Sequence, residues 1–74
     1  MIEKVIDILV DYTILEKNNI TEQSKLVIDL GLSSLDVINV VVAFEEEFDI
    51  EIPDQKIKEL NTVGDIVEYI EQNV

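Results

Sequence analysis

The residues able to do chemistry gather at one junction. Ser33 and Ser34 stand side by side, with Asp36 three places after the first of them. They follow Ile28-Asp29-Leu30-Gly31-Leu32, a loop-like stretch, and precede a long run of helical period. A helix N-terminus exposes unpaired backbone N–H groups and the positive end of the helix dipole, and so suits a phosphate. Ser33 reads as the N-cap and Asp36 as its capping-box partner. Ser34 is then the first helical residue, with its hydroxyl near the surface. A catalytic serine needs a base beside it. The chain has no His, and the neighbours of Ser34 are Leu, Ser and Asp. Local physics therefore supports capping and excludes a nucleophilic enzyme site.

Other chemistry is closed by composition. Cys and His are both absent, which removes disulfides, Cys or His metal sites and an imidazole base. No Asp-x-Asp-x-Asp-Gly loop offers a calcium site. Glu45-Glu46-Glu47 would hold divalent ions only loosely, so no metal is expected. The net charge is −12, and all five positive residues are Lys. That charge repels nucleic acid and anionic membranes and favours basic protein partners. No apolar run reaches transmembrane length, and the first residues lack a signal-peptide pattern. A cytoplasmic protein and a monomer are the expectations. Seventy-four residues suit one domain, 1–74, that buries only about 60% of its unfolded surface.

The elements that must position the junction follow from periodicity. Met1 to Leu15 reads as an amphipathic helix on Ile2, Val5, Ile6, Leu9 and Tyr12, broadened by Val10 and Ile14. Residues 16–33 form a long first loop in which Lys17-Asn18-Asn19 turns, Thr21 and Ser24 cap locally, and Ile20, Leu26 and Leu30 pin the chain to the core. The second helix runs from Ser34 to Asp49. Val37, Val41, Phe44 and Phe48 lie on one arc with Val40 beside them; Leu35, Ile38 and Val42 lie on another. Four short helices cannot bury one of their number on every side, so this second arc is expected to face a partner. Its neighbours Asn39, Glu45 and Glu46 belong in water. Ile50-Glu51-Ile52-Pro53 reads as an extended connector whose isoleucines plug the bundle. Asp54 to Leu60 gives a short third helix, and Thr62 with Asp65 caps a fourth carrying Val63, Ile66, Val67 and Ile70. The expected fold is all-α: a small four-helix bundle with three longer helices, a short third helix and a long first loop.

Asp29-Leu30-Gly31-Leu32-Ser33-Ser34-Leu35-Asp36 resembles the phosphopantetheine attachment site of acyl carrier proteins. The resemblance continues through Phe44-Glu45-Glu46-Glu47-Phe48-Asp49-Ile50-Glu51-Ile52-Pro53-Asp54 and Thr62-Val63-Gly64-Asp65, and so covers essentially the whole chain. Ser33 stands where the family usually has Asp; it can cap the helix equally well, but the lost charge bears on recognition by a modifying enzyme. The resemblance implies the same bundle, and implies that Ser34 carries 4′-phosphopantetheine, joined from coenzyme A by a phosphopantetheinyl transferase. The arm ends in a thiol that carries acyl groups as thioesters, and enzymes other than this chain perform the catalysis.

The resemblance also makes the second helix the docking face for acyl-loading and acyl-processing enzymes with basic patches. Here that face comprises Leu35, Asp36, Ile38, Asn39, Val42, Glu45 and Glu46. Asn39 replaces a Glu frequent in fatty-acid carriers, which leaves the partner set open. Long acyl chains can fold back between the helices in this family. The residues placed to line such a cavity are Leu26, Val41, Phe44, Ile52, Ile57, Leu60 and Ile70, which serve equally as core. Fatty acid biosynthesis or a related acyl pathway is the expected setting. A carrier for a specialised pathway with polyketide, aminoacyl or other cargo is the alternative. An unmodified acidic adaptor is the third reading.

Overall fold

A computed structural model describes all 74 residues. Four α-helices follow in order: α1 Ile2–Leu9, α2 Ser34–Phe48, α3 Asp54–Ile57 and α4 Val63–Asn73. No strand forms, and the only ladder contact is an isolated antiparallel bridge between Lys25 and Thr62. α1 lies against both α2 and α4. The all-α bundle with one short helix and a long first connection is therefore the architecture the periodicity required.

The core is continuous. Val5 and Leu9 of α1 meet Val40, Val41 and Phe44 of α2 and Val63, Ile66, Val67 and Ile70 of α4, all buried. Ile20, Leu26, Leu30 and Leu32 enter the same cluster from the first connection, and Ile52 and Leu60 from the second half. Burial of a Leu or Ile side chain stabilises by about 1.5–3 kcal/mol. The four residues of the connection thus hold it to the bundle as firmly as a helix face would.

α1 ends earlier than its apolar pattern implies. The stripe predicts helix to Leu15, but α1 stops at Leu9. Beyond it, the Asp11 and Tyr12 N–H groups bond the Ile8 and Leu9 carbonyls three residues back, at 3.2 and 2.9 Å. The Thr13 hydroxyl then donates to the Leu30 carbonyl at 2.8 Å, and the Leu15 N–H donates to Thr13 Oγ1 at 3.3 Å. Thr competes with the helix for backbone partners, and here a long-range acceptor takes its hydroxyl. The chain consequently turns away. Ile14, expected to widen the core arc, is 99% exposed, and Tyr12 is exposed too.

The connection from Val10 to Ser33 is built from small hydrogen-bonded units. Lys17–Asn19 forms a 3₁₀ turn. The Thr21 N–H donates to Ser24 Oγ at 2.9 Å, and the Ser24 N–H returns a bond to the Thr21 carbonyl at 3.1 Å. Residues 25–30 wind into a further turn whose start is capped by Asp29, which accepts the Lys25 N–H at 2.8 Å. Gly31 ends it with φ of +71°, a left-handed conformation that favours glycine. The Leu32 N–H bonds the Leu26 carbonyl and the Gly31 N–H the Val27 carbonyl, both at 3.1 Å. The Gly31 bond is the five-to-one bond of the αL motif, the Leu32 bond reaches six residues back, and Leu26 and Leu32 are both buried. Gly31 thereby aims the chain into α2.

The two halves of the molecule are stitched beside the junction. The Leu26 N–H donates to the Asn61 carbonyl at 3.0 Å, the Val63 N–H to Ser24 at 3.0 Å and the Gly64 N–H to Glu22 at 2.9 Å. The sequence predicts a third helix to about Leu60, but regular helix stops at Ile57, and the Glu59 and Leu60 N–H groups bond the Lys56 and Ile57 carbonyls three residues back to carry the chain on.

Candidate functional site

The start of α2 is the capping box the sequence implies. The Asp36 N–H donates to Ser33 Oγ at 3.1 Å, and the Ser33 N–H donates to the Asp36 carboxylate at 3.0 Å. The Ser33 hydroxyl is thus committed to the cap. The Ser34 side chain is exposed and makes no hydrogen bond. The Ser34 and Leu35 N–H groups, first in the helix, also have no acceptor. One free hydroxyl therefore sits at the positive end of a fifteen-residue helix with unpaired donors around it.

An open groove of about 1060 Å³ begins at Ser34. One wall is Leu26, Val27 and Ile28 of the first connection; the other is Ile57 and Leu60. Val37 and Ile38 of α2 complete the apolar lining, and Lys25, Asp54, Lys58 and Asn61 supply its polar groups. The Leu26–Asn61 hydrogen bond joins the two walls. Of the seven residues suggested as an acyl lining, Leu26, Ile57 and Leu60 border this groove. Val41, Phe44, Ile52 and Ile70 do not; they are closed within the core.

The suggested docking residues fall into two groups. Leu35, Ile38, Asn39, Val42 and Glu46 are exposed, so the second apolar arc of α2 is not covered by the first connection. Asp36 is half-buried in the capping box. Glu45 departs from its expected place in water. It is half-buried, and its carboxylate accepts the Ile52 N–H at 2.7 Å.

Sequence reasoning missed Val27 and Ile28 as groove residues. Both are exposed apolar side chains beside Ser34. A signal was present: Leu26 and Leu30, four apart and read as pins to the core, leave Ile28 on the opposite side of a helical turn and Val27 on its flank. Val37, assigned to the core arc, is only half-buried and shared with the groove.

A family profile described as "phosphopantetheine attachment site" matches residues 3–70. The acyl carrier protein of Akkermansia muciniphila is 47% identical over 70 residues, a span of 95% of this chain and 88% of that protein. The chain belongs to the acyl carrier protein family. An acyl carrier protein holds acyl groups on 4′-phosphopantetheine and is a carrier, not an enzyme; it works with a phosphopantetheinyl transferase and acyl-processing enzymes. The start of α2 fits that group: it offers a hydroxyl without a partner, free N–H donors for a phosphate and an apolar groove alongside. No helix is long and apolar enough to cross a membrane.

Proposed function

We propose that Ser34 is the attachment residue, and that the chain is a single carrier domain serving fatty acid biosynthesis in the cytoplasm as a monomer. One observation carries the assignment of the residue. Both adjacent serines are exposed, but Ser33 Oγ accepts the capping bond while the Ser34 hydroxyl makes no hydrogen bond. A transferase working from coenzyme A joins the arm to Ser34 through a phosphodiester. When bound, the arm supplies the thiol, and hence the thioester chemistry, that this cysteine-free chain lacks.

The chain's own residues position. The capping box fixes the Ser34 backbone, and the unpaired Ser34 and Leu35 N–H groups would be donors to the phosphate of the arm. Leu35, Ile38 and Val42 offer contact area to partner enzymes, while Asp36, Glu46 and the α2 acidic run steer basic patches toward it. Asn39 lies within that face. The groove of Leu26, Ile57 and Leu60 shelters an apolar cargo. Tethering raises the effective concentration of cargo at a docked enzyme.

The test is intact-protein mass after incubation with coenzyme A and a broad-specificity transferase. The natural chain gains one phosphopantetheine and Ser34→Ala gains none. Ser33→Asp restores the charge usual at that position and guards against a transferase that rejects Ser33. If Ser33→Asp also stays unmodified, or Ser34→Ala is modified, the assignment of Ser34 falls.

A further inference from the structure

Two of the five lysines, Lys25 and Lys58, border the groove that opens at Ser34. The groove carries one carboxylate, Asp54, so cations outnumber anions there, against a net charge of −12 for the chain. Of the other three, Lys17 holds Asp7 at 2.7 Å, Lys56 lies 3.8 Å from Glu59 and 5.4 Å from the Tyr69 ring centroid, and Lys4, outside the groove, forms no ion pair. Lys25 and Lys58 form no ion pair, although seventeen carboxylates share the surface. They come from opposite walls, Lys25 from the first connection and Lys58 from the segment after α3. The Leu26–Asn61 hydrogen bond at 3.0 Å, between their immediate and near neighbours, holds those walls in register. The same groove is lined by Leu26, Ile57 and Leu60, and apolar surroundings strengthen a charge interaction.

We propose that Lys25 and Lys58 form an anion subsite for an oxyanion carried on the Ser34 arm. The oxyanion is either the phosphodiester next to the hydroxyl or a terminal carboxylate on the cargo. The subsite would make this carrier selective for acyl groups that end in a carboxylate if the second source holds. The proposal rests on the reading of Ser34 as the attachment residue, but its test does not need a transferase.

The chain has no cysteine, so Ser34→Cys provides one thiol for alkylation. Four adducts are compared by thermal melt at low salt: short and long linkers, each ending in a carboxylate or in the near-isosteric primary amide. On so acidic a chain an unheld carboxylate lowers the melting temperature. A held one raises it, by about 2–5 °C over the amide for one or two partly exposed pairs in a domain this small. The expected result is such a gain, lost in Lys25→Gln/Lys58→Gln and lost in about 1 M salt, where the screening length is near 3 Å. A gain confined to the short linker identifies the phosphodiester position; one confined to the long linker identifies the cargo. Each comparison is made within one background, so any general destabilisation by the lysine changes cancels, and the single changes serve if the double variant does not fold. Carboxylate adducts that melt with or below their amides at both lengths overturn the proposal. A lysine-dependent gain beside a failed mass experiment would retain the subsite while rejecting the attachment reading.

Discussion

The Glu45 carboxylate accepts the Ile52 N–H across seven residues, at 2.7 Å. It ties the last turn of α2 to the connector that delivers α3. A hydrogen bond to a charged group contributes about 1.5–3 kcal/mol when buried; half-burial places this one at the low end. Glu45→Ala is expected to lower the melting temperature by several degrees despite removing a negative charge. Glu46→Ala, at an exposed neighbour with no such bond, should leave it level or raise it. Equal melts for the two variants would remove the structural role of Glu45.

Asp49 closes α2 in the left-handed region, with φ of 53° and ψ of 51°. It also places a negative charge at the negative end of the helix dipole. Asn tolerates this backbone conformation better and carries no charge. Asp49→Asn should stabilise by about 0.5–1 kcal/mol, read as a higher urea midpoint with unchanged slope. A lower midpoint would contradict it.

The two glycines should resist Ala for different reasons. At Gly31 a Cβ meets nothing within 4 Å, so the cost is the left-handed backbone alone. That cost, less the entropy Ala removes from the unfolded chain, is about 1 kcal/mol. At Gly64 a Cβ would stand 3.2 Å from the Glu22 carbonyl oxygen, which already accepts the Gly64 N–H at 2.9 Å. The obstacle is backbone held in place, so Gly64→Ala should also destabilise, by about 1 kcal/mol for modest overpacking. Urea melts of both variants check this, and a Gly31→Asn melt should fall between Gly31→Ala and the natural chain. A Gly64→Ala melt at or above the natural one would mean that the connection yields freely there.

Lys17 has its pKa raised above the ordinary 10.5, first by its hydrogen bond to Asp7 and then by the Asp7 charge. A raised folded-state pKa stabilises fully below the unfolded value, and the contribution is lost as pH climbs through the folded value. The stability difference between the natural chain and Lys17→Gln should hold steady to about pH 10 and shrink above it. Lys17 is fully exposed, so the effect is small and weakens with salt. A difference that grows with pH would reverse the assignment.

Seventeen carboxylates meet five lysines, and only two ion pairs form. Self-repulsion of this order destabilises the compact state. Raising salt from low to about 0.5 M should raise the melting temperature, with divalent cations acting at lower concentration. A melt independent of salt would show that the acidic surface is not under strain.

What the sequence by itself determined are the local features. The capping boxes at Ser33–Asp36 and Thr62–Asp65 close within three residues, so the pattern alone specifies them. The helical stripes named Val5, Leu9, Val41, Phe44, Ile66 and Ile70 as core, and the second arc of α2 as surface, because side-chain direction in a helix repeats with the chain. The free hydroxyl at Ser34 follows from these same two rules. Tertiary structure decided whatever depended on partners far along the chain. α1 stops at Leu9 as Thr13 turns to Leu30, seventeen residues away. Glu45 leaves water because Ile52 presents an N–H. The groove exists because Leu26 bonds Asn61, bringing together the first connection and the α3–α4 junction, whose apolar residues have no periodic relation to one another. Periodicity reports which way a residue faces on its own element; which element stands opposite is settled only when the chain closes on itself.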